Sequence, residues 1–131
     1  MSGATPSNEV PPWLREQLAR FEQLQQNLQA ILVQKQQVEI ESAEVNRALV
    51  ELKKSGEGDA IYKSAGSILI RANRDELVKE LEDKKELAGT RTAVLGKQEQ
   101  RVRENIRELQ AKLEEAVKGR GPAGAASASS S

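Results

Sequence analysis

Apolar side chains recur at steps of three and four residues along two long stretches of this chain, and a short segment of different period lies between them. The first row reads Leu14, Leu18, Phe21, Leu24, Leu28, Ile31, Lys35, Val38, Ser42, Val45, Leu49 and Leu52, so ten of its twelve positions are apolar. A stripe of that period predicts a helix buried along one seam against a partner helix. The two three-residue steps on either side of Phe21 form a stammer, which predicts local overwinding of the supercoil near the open end. Lys35 and Ser42 weaken the middle of the row. The second row, Leu77, Leu81, Lys84, Ala88, Arg91, Leu95, Gln98, Val102, Ile106, Leu109, Leu113 and Ala116, is poorer still in its middle. Gly89 and Gly96 share a face there, and each costs about 1 kcal/mol relative to alanine inside a helix. Close approach of two backbones, a flexible stretch and a break in the helix all account for such a pair.

The segment between the rows, Ala60 to Ala72, has the composition of a strand pair with Gly66 at its centre, where glycine can supply a positive φ angle. A hairpin there folds the chain back, so the two helices lie antiparallel. Side chains alternate along a strand, which puts Ile68 and Ile70 on one face and Leu69 on the other. No orientation of a two-stranded ribbon hides all three, and an isolated hairpin is marginal in water. Further strands from other subunits are therefore predicted, and with them an obligate oligomer.

Local signals place the boundaries. Pro11 and Pro12 sit where proline is tolerated, at the start of a helix. Lys53 and Lys54 favour a helix C-terminus, followed by glycines that end it. Asn73, three residues before Glu76, resembles a capping box for the second helix. The expected organisation is a disordered segment 1–10, a single domain 11–118 (helix 11–54, hairpin 59–72, helix 74–118), and a disordered Ala/Ser-rich tail 119–131.

Composition narrows the class. Aromatic residues make up 2% of the 131 residues, being Trp13, Phe21 and Tyr62, which is too few for an ordinary globular core. The core must be a seam. The charged fraction of 31% divides into 20 basic and 20 acidic residues, so no basic excess points to nucleic acid. Cysteine and histidine are absent from the sequence, which argues against disulfides, thiol nucleophiles and most transition-metal sites, and points to an intracellular, cytoplasmic setting. No apolar run approaches the roughly 20 residues that cross a bilayer, and the first dozen residues do not read as a targeting signal, so no membrane partner is expected.

The run from Gly89 to Lys97 is superficially like a phosphate-binding loop, but six residues separate its glycines instead of four and Gln98 follows the lysine. No catalytic, cofactor or metal site is expected. Two aromatic residues have alternative uses: Trp13 as a staple for the first helical turn or as an exposed contact for other proteins, and Tyr62 as an interface ring or as a residue of simple β propensity.

The run Asp59-Ala-Ile-Tyr-Lys-Ser-Ala-Gly-Ser-Ile-Leu-Ile70 resembles the hairpin signature of archaeal prefoldin beta subunits. Gln34-Lys-Gln-Gln37, Lys97-Gln-Glu-Gln-Arg-Val102 and Ile106-Arg-Glu-Leu-Gln110 are similar to the same family, and the likeness covers residues 12 to 117. It implies a mainly α fold, a long antiparallel two-helix coiled coil joined by a single β-hairpin that assembles into an intersubunit β-barrel. It further implies a hexamer of two alpha-type and four beta-type subunits that holds unfolded client proteins without ATP and passes them to a group II chaperonin. The linker has room for one hairpin, as in the beta type. The assembly surface then falls on Ile61, Tyr62, Gly66, Ile68, Leu69 and Ile70, and the client surface on Trp13, Leu14, Leu18, Leu109, Leu113 and Val117. A rival reading from another class is a structural coiled-coil spacer without clients, whose mark would be polar tips.

Overall fold

Helix α1 (Pro12–Lys54) opens on the proline whose missing N–H costs least at a first helical position. Arg15 donates its backbone N–H to Pro11 O at 2.9 Å and its guanidinium to Val10 O at 3.1 Å, which ties the entering chain to the first turn. At the other end Lys53 and Lys54 lie in the last turn, and the Ser55 hydroxyl donates to Leu52 O at 2.6 Å. A tight turn follows, in which Asp59 accepts from the Gly56 N–H at 2.7 Å. Strands β1 (Ile61–Ala65) and β2 (Ile68–Ala72) lead to helix α2 (Arg74–Arg120). Asn73 Oδ1 accepts from the Glu76 N–H at 3.0 Å, with Asp75 and Glu76 in the first turn, so the expected cap is in place.

This computed structural model describes residues 10–120. The end segments expected to be disordered lie outside the described residues, apart from Val10 and the last two residues of α2, which continues through Gly119 to Arg120 and does not stop at 118.

The strands pair antiparallel with Ala65 opposite Ile68, Ser64 opposite Leu69, Lys63 opposite Ile70, Tyr62 opposite Arg71 and Ile61 opposite Ala72. Gly66 has φ of 62°, and no non-glycine residue among those described has a positive φ. A two-residue loop with its positive φ at the first central position is the turn whose twist matches the flanking strands, and it demands glycine there.

The described residues divide into two compact units, one of residues 10–31 with 98–120, the other of residues 32–97. In the first, Leu14, Leu24, Ile31 and Leu109 are buried. Gln17 is half-buried there while Leu18 is 44% exposed. The seam therefore runs Leu14, Gln17, Phe21, Leu24, Leu28, Ile31 in unbroken alternation, and the expected stammer does not occur. Helix geometry ties each seam position to the next; keeping phase half-covers the Gln17 stem but avoids overwinding the whole turn.

In the second unit Val38 is 0% exposed, and Leu49, Leu52, Ala88 and Leu95 are buried. Lys84 and Arg91 are exposed here, as is Gln98 in the other unit, so these three expected seam positions of α2 are corrected to surface positions. Of the seam positions expected in this stretch, Leu81, Ala88 and Leu95 remain on the inner side, one residue per seven. Helix α2 runs unbroken through Gly89 and Gly96, and a Cβ at either would meet nothing within 4 Å. Neither a helix break nor close backbone approach accounts for them. Gly89→Ala and Gly96→Ala should each stabilise the fold by about 1 kcal/mol, whereas Gly66→Ala, forced to a positive φ, should cost about 1–3 kcal/mol. Denaturant unfolding followed by circular dichroism checks the opposite signs.

Candidate interaction surfaces

Both candidate surfaces are apolar, and each lies within one unit. The hairpin is held at its base by Arg74, whose Nε donates to Leu52 O at 3.2 Å and to Ser55 Oγ at 3.3 Å while a terminal nitrogen lies 3.6 Å from Asp75. This side chain ties the end of α1 to the start of α2. Lys63 on β1 reaches Glu80 of α2 at 3.4 Å, a second but more exposed tether.

The register assigns the faces. Ile61, Lys63, Ala65, Ile68, Ile70 and Ala72 share one; Tyr62, Ser64, Leu69 and Arg71 share the other. Ile61, Ala65 and Ala72 are half-buried. Ile68 is 60% exposed and Ile70 43% on the first face, Leu69 71% and Tyr62 54% on the second. The Arg71 guanidinium lies 6.0 Å from the centre of the Tyr62 ring, across the strands from it. The sheet has two strands among the described residues, so the outer edge of each is unpaired within the chain. All six residues expected at the assembly surface thus lie on one compact element, with Gly66 shaping its tip.

At the open end the expected patch divides. Trp13, Leu18 and Val117 are 49%, 44% and 62% exposed, and Leu113 is half-buried. Leu14 and Leu109, at 8% and 5%, are buried as their places in the seam rows predict, so they add no exposed area to the client surface that the resemblance assigned to them. Phe21, Leu113 and Val117 come together in an open groove of about 430 Å³ whose other sides are the stems of Gln110, Glu114 and Lys118. Phe21 was legible as a seam residue but not as part of this groove, because its ring is larger than the seam can cover. Trp13 remains half outside, as neither a fully packed staple nor a fully free ring.

Among the described residues no group of three or more His, Cys, Asp or Glu side chains could hold a metal ion, and no helix is long and apolar enough to cross a membrane.

The sequence model for prefoldin subunits matches residues 15–120. The chain belongs to the prefoldin family. Two prefoldin subunit beta relatives are similar to it: that of Pyrobaculum islandicum is 41% identical over 80% of this chain and 84% of its own length, and that of Archaeoglobus fulgidus 39% identical over 81% and 91%. The crystal structure of the prefoldin beta subunit from Thermococcus strain KS-1 superposes with a TM-score of 0.74 at 32% identity, covering 87% of this chain and 98% of that one. The beta2 subunit of the same strain, at 22% identity and a TM-score of 0.62, shares the fold. Two long helices and one hairpin are thus the architecture of prefoldin beta subunits, and the expected fold stands, apart from the intersubunit barrel.

The prefoldin hairpin depends on its tethers unequally. Arg74 is largely covered and makes charge-assisted hydrogen bonds worth about 1.5–3 kcal/mol in total loss when their donor is removed, whereas an exposed pair such as Lys63 with Glu80 contributes about 0–1 kcal/mol. Arg74→Ala should lower the unfolding midpoint clearly and Lys63→Ala barely, as measured by thermal denaturation at fixed protein concentration.

Proposed function

We propose that this prefoldin subunit assembles through its hairpin with other prefoldin subunits, of the beta type and of a partner alpha type, into a cytoplasmic hexamer that holds unfolded proteins without ATP and passes them to a group II chaperonin. The observation that carries the assembly is the hairpin exposed on both faces: Ile68 and Ile70 on one, Leu69 and Tyr62 on the other, with both strand edges open. Neighbouring strands that complete a barrel would cover the apolar side chains and pair the edges together. The arrangement of two alpha and four beta subunits follows the family resemblance.

Client capture is supported by the open end, where Trp13, Leu18 and Val117 are exposed and Phe21 and Leu113 line a groove. Such side chains suit weak, non-specific contact with apolar segments of an unfolded chain, and several subunits acting together would raise the affinity without a deep pocket. A spacer without clients has no use for apolar residues at these positions.

Ile68→Asp with Ile70→Asp should dissolve the oligomer while leaving helix content intact, because a buried unpaired charge costs several kcal/mol. Sedimentation velocity decides it, and an unchanged mass rules out the hairpin as the assembly surface.

Trp13→Ser, Leu18→Ser and Val117→Ser together spare the buried Leu14 and Leu109, so the coil should stay folded. The oligomer should keep its mass and lose most of its ability, without nucleotide, to suppress aggregation of a chemically unfolded protein, followed by light scattering. Suppression equal to that of the unsubstituted complex moves the client site elsewhere.

A further inference from the structure

Helix α2 is unevenly covered. From Glu82 to Val94 every residue except Ala88 is exposed, whereas from Glu99 to Ala116 a covered residue recurs at least every four positions. An open groove of about 650 Å³ runs beside Ala88 between the two helical segments of the unit of residues 32–97, so the one covered side chain of this stretch is also loosely packed. The composition of the same stretch acts in the same direction. Gly89, Thr90, Thr92, Val94 and Gly96 are weak helix formers crowded into one short run, and the Thr90 hydroxyl donates to Glu86 O at 3.2 Å, a bond that competes with the backbone ladder. Arg91 reaches Glu41 across the groove at 3.5 Å, but both side chains are exposed, and such a pair adds little.

Helix α1 differs. Counted antiparallel from the Glu41–Arg91 pair, residues 86–97 lie beside residues 35–46, where Gln36, Gln37, Glu39, Ala43 and Glu44 are strong helix formers and no glycine occurs. Val38, Ala88 and Leu95 are the buried residues of these two segments, so parting them uncovers little.

We propose that α2 opens locally between residues 86 and 97, with α1 and the rest of α2 still formed, and that this yielding segment lets the coiled coil adapt to the clients it holds. A helix opens where sparse apolar contacts and weak formers coincide, because a local opening forfeits the contacts of its own residues and no others. The two glycines set its ease: a Cβ at either would meet nothing within 4 Å, so each acts through the helix backbone alone. The use in client binding rests on the function proposed above; the opening itself does not.

Hydrogen exchange of the full-length protein in its oligomer, corrected for intrinsic rates, tests the opening. Protection at residues 90–97 should be lower than at residues 102–113 by about tenfold or more. Gly89→Ala with Gly96→Ala should raise it by about 25-fold, about fivefold for each glycine, and leave residues 102–113 unchanged. Equal protection in the two stretches, or a rise spread evenly over α2, overturns the local opening. The same double variant should keep the oligomer's mass but suppress aggregation of a chemically unfolded protein about twofold less well at limiting concentration, followed by light scattering. Undiminished suppression overturns the part given to the opening in client capture. A complex that suppresses no aggregation even before substitution overturns the client reading and that use with it, whereas the exchange result stands on its own.

Discussion

The phase of the seam is the constraint from which the rest of this chain follows. A coiled coil repeats every 3.5 residues, and once one turn is packed the position of every later side chain is decided. Here the phase favours Gln17 over Leu18 at the open end, although leucine is the better core residue. The apolar gain of one leucine, about 1.5–3 kcal/mol when fully buried, is smaller than the cost of putting the neighbouring turns out of register. Leu18 is left outside as a result, and so joins the exposed apolar set with Trp13 and Val117.

The same phase explains the middle of α2. With Leu81, Ala88 and Leu95 inward at one residue per seven, the chain has little to bury there, and Leu87 and Val94 stand outside with Lys84 and Arg91. Poor seam packing and two glycines occur in one stretch. Since neither glycine is required by a neighbour or by a positive φ, their remaining physical effect is to lower the helical stability of that stretch. The hairpin is held at both ends: a glycine-shaped turn at its tip and Arg74 at its base support a ribbon that cannot cover itself.

Much of this was legible in the amino-acid sequence, and the failures have two sources. The elements, the Asn73 cap, the two prolines at the start and the two-faced hairpin are local signals, each decided by a few neighbouring residues. Leu18 was misread because the step of four was chosen for the more apolar residue, whereas Lys84, Arg91 and Gln98 keep the regular alternation and lie exposed because long polar side chains reach water from such positions. Three-dimensional packing chooses by phase across the whole helix. Leu14 and Leu109 are seam residues by periodicity and are buried as such, so it was the family resemblance and not the pattern that set them on the client surface. Phe21 shows the converse, a seam residue too large to be fully covered, whose exposed part no periodicity reveals.

Net charge illustrates the difference between what is read along a chain and what is read across a surface. Twenty basic and twenty acidic residues cancel, and at a distance beyond the Debye length of about 8–10 Å the protein presents no field to a polyanion. At contact distance the cancellation is not uniform. Along the groove of residues 32–97, glutamates line α1 and Lys84 and Arg91 line α2, on facing walls of one concavity. Arg91 and Glu41 pair across that concavity at 3.5 Å, so part of the segregated charge is satisfied between the two helices of one chain and not at a distance.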